Sequence, residues 1–313
     1  MVSCTNCGSD APLRCGGCKD APSYDNGGEL DVSYCGRECQ KADWPRHKKA
    51  CNNMRRRRSL LRAATLLKAT IVSYRDILYE WNLVQIEPRD ENLFLKIDLK
   101  LPRRKHDRFP DHLTSNVEHK EAALLKGLGP IAVCILEPMT RTLLRGLVID
   151  LEITTVKIAN PPYPTTMEDP DAGFFPLPGC KSLNTDMHMI VLATLATSHE
   201  KWVIDVTGCQ FGFEGALFPF AKYVEKHCTF MEIPAPYYQT ETWDQKRQLY
   251  RWENSPLIAD ARVLIDRELG YRRHFAALVK EHVNSNLIEG SDAEFEAKVV
   301  DFSQKVKTHM SSC

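Results

Sequence analysis

The sequence predicts an α+β fold with a small cysteine-rich module at its N-terminus, a linking helix and a larger mixed C-terminal domain. Seven of the 12 cysteines lie within the first 51 residues, which marks the module. Beyond about residue 82, alternating β-branched runs give way to helical periodicity after Phe220. We therefore divide the chain into residues 1–52 for the module, 53–82 for a basic amphipathic helix and 83–313 for the α+β domain.

Composition excludes several classes of protein. The chain has 313 residues, of which 43% are hydrophobic and 26% charged, as in a globular protein rather than a disordered one. Lys+Arg and Asp+Glu number 41 each, so no global field draws the chain to nucleic acid or to an acidic membrane. The longest apolar runs, such as 189–196, are far shorter than a membrane span of about 18 residues. Since the first 15 residues lack the apolar core of a secretory signal, we expect an intracellular protein of the nucleus or cytoplasm.

The spacing of the N-terminal cysteines indicates metal binding. Seven thiols cannot all pair as disulfides, and with one well-spaced histidine they give eight donors, enough for two tetrahedral zinc ions. Asp43 is placed to cap a second helical turn that begins near Pro45. Because the protein supplies all four ligands of each ion, both ions would be structural. The donors form four pairs: Cys4 and Cys7, Cys15 and Cys18, Cys35 and Cys39, and His47 and Cys51.

The stretch 34–51, YCGRECQKADWPRHKKAC, follows two CxxC pairs and resembles a MYND-type zinc finger. The resemblance covers residues 4–51 and implies a cross-brace, in which the first and third pairs hold one zinc ion and the second and fourth pairs hold the other. Spacing alone does not determine this interleaving. The segment 19–34 is longer than is usual for the family, and its DNGG sequence predicts a short hairpin flap.

The resemblance also implies a function, the binding of proline-rich peptides through Gln40 and Trp44. An exposed indole stacks on an extended proline segment, and an amide can hydrogen-bond to its backbone. The alternative is that Trp44 only packs the module and Gln40 is solvated. From these residues we expect a zinc-binding protein whose finger is a protein–protein interaction module with an adaptor or regulatory role.

A basic stretch follows the finger and ends in four arginines at 55–58. It resembles a nuclear localisation signal or a nucleic-acid contact, but it equally fits a solvated helix face. No recognition-helix signature supports direct nucleic-acid binding. The next residues, 59–81, have apolar positions at helical spacing and predict one amphipathic helix.

The C-terminal region combines strands, long loops and helices. Strands are predicted in 82–88, 92–101, 144–159, 187–196 and 201–208. Loops are predicted for the basic segment 101–112 and the proline-rich segment 160–179. Helices are predicted over about 243–283 and 292–309.

One pair of residues in this region raises an alternative function. His188 and Asp205 are predicted on adjacent strands, where Asp205 could orient the imidazole of a Cys–His–Asp triad. The pattern faintly resembles transglutaminase-like and papain-type folds, so the alternative is a thiol acyl-transfer enzyme or an inactive relative of one. Cys134 and Cys180 are the candidate nucleophiles, but Cys134 lies in an apolar run and Cys180 in the proline-rich segment. The sequence shows no methyltransferase motif of the kind found in some MYND proteins, and no phosphate-binding or dinucleotide-binding glycine motif.

Overall fold

A single helix joins the cysteine-rich module to the rest of the chain. The computed structural model describes residues 2–24, 32–98, 108–168, 187–237 and 261–313. Helix α1 runs from Arg37 to Ile77, and its 41 residues correspond to a length of about 60 Å. Its C-terminal half buries apolar residues at spacings of three and four, as expected for a helix packed on one side. The buried positions include Leu60, Ala63, Ala64, Leu67, Ile71 and Tyr74.

Helix α1 continues through Pro45. The prediction that Asp43 caps a second helical turn is wrong, because Asp43 lies inside the helix. Its carboxylate accepts a hydrogen bond from the Tyr34 hydroxyl at 2.7 Å and pairs with Arg46 at 2.9 Å. The side chain is therefore bound by tertiary partners and is not available to cap backbone N–H groups. The ring of Pro45 removes one helical hydrogen bond, yet the helix does not end there.

Among its described residues, the module contains one short strand pair. Strand β1, Leu13–Arg14, pairs antiparallel with β2, Ser33–Tyr34. The DNGG turn of the predicted flap lies outside the described residues. The boundaries proposed at residues 52 and 82 stay a prediction, and α1 passes through the first of them.

A six-stranded antiparallel sheet forms the centre of the C-terminal region. Its order is β10-β5-β7-β8-β9, and β11 also pairs with β5. The strands are β5 (Val148–Ile158), β7 (Met187–Leu195), β8 (Lys201–Ile204), β9 (Leu217–Pro219), β10 (Cys228–Met231) and β11 (Ala235–Pro236). Strands were predicted where β5, β7 and β8 occur, whereas the short strands β10 and β11 were not expected after Phe220.

A second sheet has three strands in the order β3-β4-β6. Strands β3 (Leu83–Arg89) and β4 (Asn92–Ile97) form a hairpin, and β6 (Thr165–Glu168) pairs in parallel with β4. Strand β6 corrects the loop predicted over 160–179, although residues 169–179 lie outside the described ranges. Of the basic loop predicted over 101–112, only residues from 108 onward are described, and a 3-10 turn begins at Asp111.

The described residues form five further helices. They are α2 (Val117–Leu125), α3 (Gly129–Leu144), α4 (Phe220–His227), α5 (Ala261–His282) and α6 (Asp292–Met310). Of these, α2, α3, α5 and α6 contact α1, and α4 contacts the large sheet. The helix predicted over about 243–283 corresponds to α5 from Ala261 onward, whereas residues 243–260 lie outside the described ranges. The helix predicted over 292–309 is α6, and neither α2 nor α3 was predicted. The main core lies between α1, α3, α5, α6 and the large sheet. The α+β class, with a small N-terminal module and a larger mixed domain, is confirmed.

Among the described residues, no single helix has the length and apolar composition needed to cross a membrane. Helices α2 and α3 have that length and composition only when they are counted together, and the chain bends by 94° between them.

Candidate metal centre and peptide-binding face

The first group of metal-binding side chains combines Cys4, Cys7, Cys35 and Cys39. Their Sγ atoms all lie within 4.8 Å of one another, with Cys7 and Cys35 at 3.6 Å and Cys35 and Cys39 at 3.4 Å. A tetrahedral zinc ion with bonds of about 2.3 Å to sulfur needs sulfur–sulfur distances of about 3.8 Å. The donor set and its spacing therefore fit one structural zinc ion.

The second group combines Cys15, Cys18, His47 and Cys51, and it is more buried than the first. Cys15 and Cys51 lie 3.7 Å apart at their Sγ atoms. Nε2 of His47 lies 3.3 Å from Cys15 Sγ and 3.2 Å from Cys18 Sγ. Three thiolates and one imidazole at these distances fit a second tetrahedral zinc ion. The two groups interleave along the chain, which is the cross-brace implied by the resemblance.

Local structure brings the paired donors together. His47 and Cys51 lie one turn apart on α1, so both side chains leave the same face of the helix. Gly17, inside the Cys15–Cys18 pair, lies directly against this face. A Cβ atom at Gly17 would overlap Cys51 Sγ and approach Arg55 Nε at 2.8 Å. The backbone of the second pair can reach Cys51 only because residue 17 has no side chain.

The thiols in each group perturb one another's ionisation. Burial alone would raise the pKa of Cys4, but backbone N–H groups, foremost that of Cys35, lower it to about 6. Hydrogen bonding to Cys39 and Cys7 raises the pKa of Cys35 to about 12. Burial opposes the ionisation of Cys15, yet hydrogen bonds led by that from His47 lower its pKa to about 7. Adjacent thiolates repel, so full deprotonation of either group requires a cation, and zinc supplies that charge.

Gln40 and Trp44 lie one turn apart on the first three turns of α1, and both are half-buried. Trp44 packs against the small apolar cluster of the finger, with its ring 6.2 Å from that of His47 at an interplanar angle of 70°. Part of the indole thus supports the zinc module while the rest is open to solvent. The structure brings the two predicted peptide-binding residues to one face, and peptide binding itself stays a prediction.

Three of the four arginines at 55–58, namely Arg56, Arg57 and Arg58, make contacts within the chain. Arg56 donates to the carbonyl oxygens of Gly146 and Leu147 at 3.0 and 3.3 Å. Arg57 forms a bidentate salt bridge with Glu200, in which Nε lies 2.8 Å from Oε2 and Nη2 lies 2.5 Å from Oε1. Arg58 Nη1 lies 3.0 Å from the Gly16 carbonyl oxygen and 3.3 Å from that of Lys19. Sequence reasoning missed this role because the partners lie 39 to 143 positions away along the chain.

His188 and Asp205 also meet. Nε2 of His188 lies 2.8 Å from Asp205 Oδ1, and the Tyr223 hydroxyl donates to Asp205 Oδ2 at 2.8 Å. The side chains of His188 and Asp205 are 1% and 0% exposed, and the other ring nitrogen of His188 faces Gly129 at the start of α3. Burial would raise the pKa of Asp205, but the adjacent imidazole and the Tyr223 hydroxyl bring it below its ordinary value.

Two thiols among the described residues, Cys209 and Cys228, lie near enough to Asp205 to feel its charge, and burial, with that charge adding to it, raises the pKa of both. Cys134 is buried in α3, and Cys180 falls outside the described ranges. Cys209 lies three positions before Gly212 in a 3-10 turn, and burial raises its pKa to about 12. A nucleophilic thiolate is thus disfavoured at Cys209. The geometry suits a structural role, in which the buried hydrogen bond between His188 and Asp205 joins β7 to the turn after β8.

Comparison with known families identifies the N-terminal module. The family model of the MYND finger matches residues 4–51, which include all eight candidate ligands, Gln40 and Trp44. This match and the two donor groups together confirm a MYND-type zinc finger with two structural zinc ions. Neither the curated proteins nor the solved structures include a significant match to the chain.

Proposed function

We propose that this chain, whose residues 4–51 form a MYND-type zinc finger, acts as an adaptor or regulatory protein that binds an extended, proline-rich segment of a partner protein. One observation carries the proposal, namely the placement of Gln40 and Trp44 on one partly open face of α1 beside the zinc module. The indole would contact the proline rings, and the Gln40 amide would hydrogen-bond to the peptide backbone. Zinc would act only by holding α1 against the two knuckles.

The rest of the chain would present this face rigidly. Arg58 links α1 to the second knuckle, and Arg57 links α1 to the β7–β8 turn. A fixed binding face loses less conformational freedom on binding than a tethered one. Because the guanidinium groups of Arg56, Arg57 and Arg58 are engaged within the chain, we infer that they do not contact nucleic acid directly.

The test uses the full zinc-loaded chain and a pool of synthetic proline-rich peptides with randomised residues between the prolines. Trp44→Ala and Gln40→Ala should each weaken binding at least about fivefold, the range expected for loss of an aromatic anchor or a buried hydrogen bond. Lys41→Ala, adjacent to Gln40 and exposed, is the matched control and should leave binding unchanged. Trp44→Phe keeps an aromatic ring in the apolar cluster of the finger. With zinc content measured in parallel, it distinguishes the loss of the peptide contact from unfolding of the finger. Equal affinity of wild type and Trp44→Ala, at equal zinc content, would contradict the proposal.

A thiol acyl-transfer enzyme is the second candidate function, and the 2.8 Å contact between His188 and Asp205 is the observation in its favour. Complete burial of both side chains favours a structural role instead. A His188→Ala variant distinguishes the two. If the chain is an enzyme, the variant should lose turnover of activated thioesters or amides and retain its fold. If the pair is only structural, the variant should be less stable, and the wild-type chain should show no turnover either.

A further inference from the structure

The face of α1 that carries Gln40 and Trp44 also carries two basic side chains. At 3.6 residues per turn, Arg37, Gln40, Trp44 and Lys48 fall within a sector about 80° wide. We refer to these four residues as the stripe. Gln40 and Trp44 at its centre are half-buried, while Arg37 and Lys48 at its ends are exposed. The stripe is therefore an amphipathic line with positive charge at each end.

Unlike Lys41 and Arg46, the end charges of the stripe have no acidic partner among the described residues. Lys41 pairs with Glu38 at 3.1 Å, and Arg46 pairs with Asp43 at 2.9 Å. Within the described ranges, neither Arg37 nor Lys48 forms an ion pair. Their charges are thus available to an external group, whereas those of Lys41 and Arg46 are partly neutralised inside the finger.

We propose that the partner segment bound by the finger carries acidic residues on both sides of its central extended part, and that these pair with Arg37 and Lys48. This inference rests on the proposed function. The two basic residues are 11 positions apart, which is about 16 Å along a helix. A polyproline helix rises about 3.1 Å per residue, so about five residues would separate the two acidic positions.

Such pairs would act mainly on specificity and on the rate of encounter. Exposed ion pairs are weak and are screened by salt, whereas the aromatic contact is not. Acidic residues at the ends of a segment would therefore decide which proline-rich segment is preferred among those that can all contact Gln40 and Trp44. Basic or neutral segments would bind through the centre of the stripe alone.

A different role for the same charges is to offset the thiolates. Four thiolates leave a zinc site with two net negative charges, and three leave it with one. If Lys48 served the metal rather than a partner, its reversal would reduce zinc retention. Zinc content is therefore measured for every variant in the binding experiment.

The experiment compares proline-rich peptides that share one pool of core sequences and end in Glu-Glu, Gln-Gln or Lys-Lys on both sides. Binding to the full zinc-loaded chain is followed by fluorescence polarisation at low and at physiological salt. Wild type should prefer the Glu-ended peptides, and the preference should shrink as salt rises. Lys48→Glu and Arg37→Glu should each weaken binding of Glu-ended peptides by about threefold to tenfold. The same variants should strengthen binding of the Lys-ended set.

Lys49→Glu provides the matched control. Lys49 is exposed and also lacks an ion pair among the described residues, but it points about 100° away from Lys48 around the helix. Its reversal makes the same change in net charge and should shift affinity less than about twofold. Equal effects of Lys48→Glu and Lys49→Glu would mean that only global charge matters, and would overturn the inference.

Two further outcomes separate this inference from the proposed function. Equal affinity for all three peptide ends, together with loss of binding in Trp44→Ala, would overturn the acidic partner and leave peptide docking intact. No binding of any peptide set to wild type would overturn both. A loss of zinc in Lys48→Glu would assign the charge to the metal site and overturn the inference alone.

Discussion

The ring of Tyr24 lies 5.1 Å from the indole of Trp202, at an interplanar angle of 49°. Tyr24 follows the second cysteine knuckle, and Trp202 is fully buried on β8. The Tyr24 hydroxyl accepts a hydrogen bond from the Lys201 backbone N–H at 3.1 Å, and Arg57 lies over the Tyr24 ring. The finger is therefore packed onto the large sheet and is not only tethered by α1.

Removing Tyr24 should weaken this packing. We expect Tyr24→Ala to lower the free energy of unfolding by about 1–3 kcal/mol, through loss of the aromatic contact and its buried area. Tyr24→Phe keeps the ring and should cost only about 0.5–1.5 kcal/mol for the lost hydrogen bond. Denaturant unfolding of the zinc-loaded chain measures both values. A Tyr24→Ala variant as stable as wild type would show that the contact contributes nothing.

Gly17 offers a test of the second zinc site that leaves every ligand in place. A Cβ atom there overlaps Cys51 Sγ, so Gly17→Ala should displace a ligand and reduce zinc content from two ions to about one. Gly16, the adjacent glycine, has open space around its Cβ position. Gly16→Ala is the matched control and should retain both ions. Elemental analysis of the two variants would reject this account if they held equal zinc.

Asp205 should make stability depend on pH. Its pKa in the folded chain lies below the ordinary value of about 3.9. A lowered folded pKa means that the carboxylate stabilises the fold above about pH 4, and that this contribution is lost as pH falls toward the folded pKa. Asp205→Asn removes the charge opposite His188 and should cost on the order of 3 kcal/mol at neutral pH.

The difference in unfolding free energy between wild type and Asp205→Asn isolates this contribution. Zinc release in acid affects both proteins, so it cancels in the difference. We expect the difference to shrink below about pH 4, where the Asp205 carboxylate of the wild-type chain becomes protonated. A difference that does not change with pH would show that the Asp205 charge does not stabilise the fold.

Zinc removal should destabilise the C-terminal domain as well as the finger. Arg58 contacts carbonyl oxygens of the second knuckle, and Arg57 contacts Glu200 beside β8. A chelator should therefore lower the midpoint of the main thermal transition in wild type. Arg57→Ala together with Arg58→Ala should reduce this shift, because the two regions are then partly uncoupled. A midpoint that chelation leaves unchanged in wild type would exclude such coupling.

The zinc ligands were predictable because zinc coordination needs pairs of donors at short, regular spacings in the sequence, and these spacings do not depend on how the rest of the chain folds. The candidate peptide-binding residues Gln40 and Trp44 were proposed from the resemblance and not from spacing. Strands with alternating patterns, such as β5 and β7, were also predictable. Helix α3 was not, because it is almost uniformly apolar and lacks a polar face to reveal its period.

Contacts between distant parts of the sequence left no local signal. The sequence of the arginines at 55–58 fits a solvated helix face equally well, because nothing in the neighbouring sequence indicates the contacts with Glu200 or Gly146. The uninterrupted α1 was likewise hidden, because Pro45 and Asp43 look like a helix start until Tyr34 is known to bind the carboxylate. The contact between His188 and Asp205 was anticipated, but its complete burial was not.

The central claim is that the N-terminal module is a finger built on two structural zinc ions held by eight residues. Elemental analysis of metal-clean purified protein, beside the Cys39→Ser variant, tests it most directly. We predict two zinc ions per wild-type chain and about one in Cys39→Ser, whose loss falls on the group with Cys4, Cys7 and Cys35. One ion or none in wild type would contradict the claim, as would two ions retained in the variant.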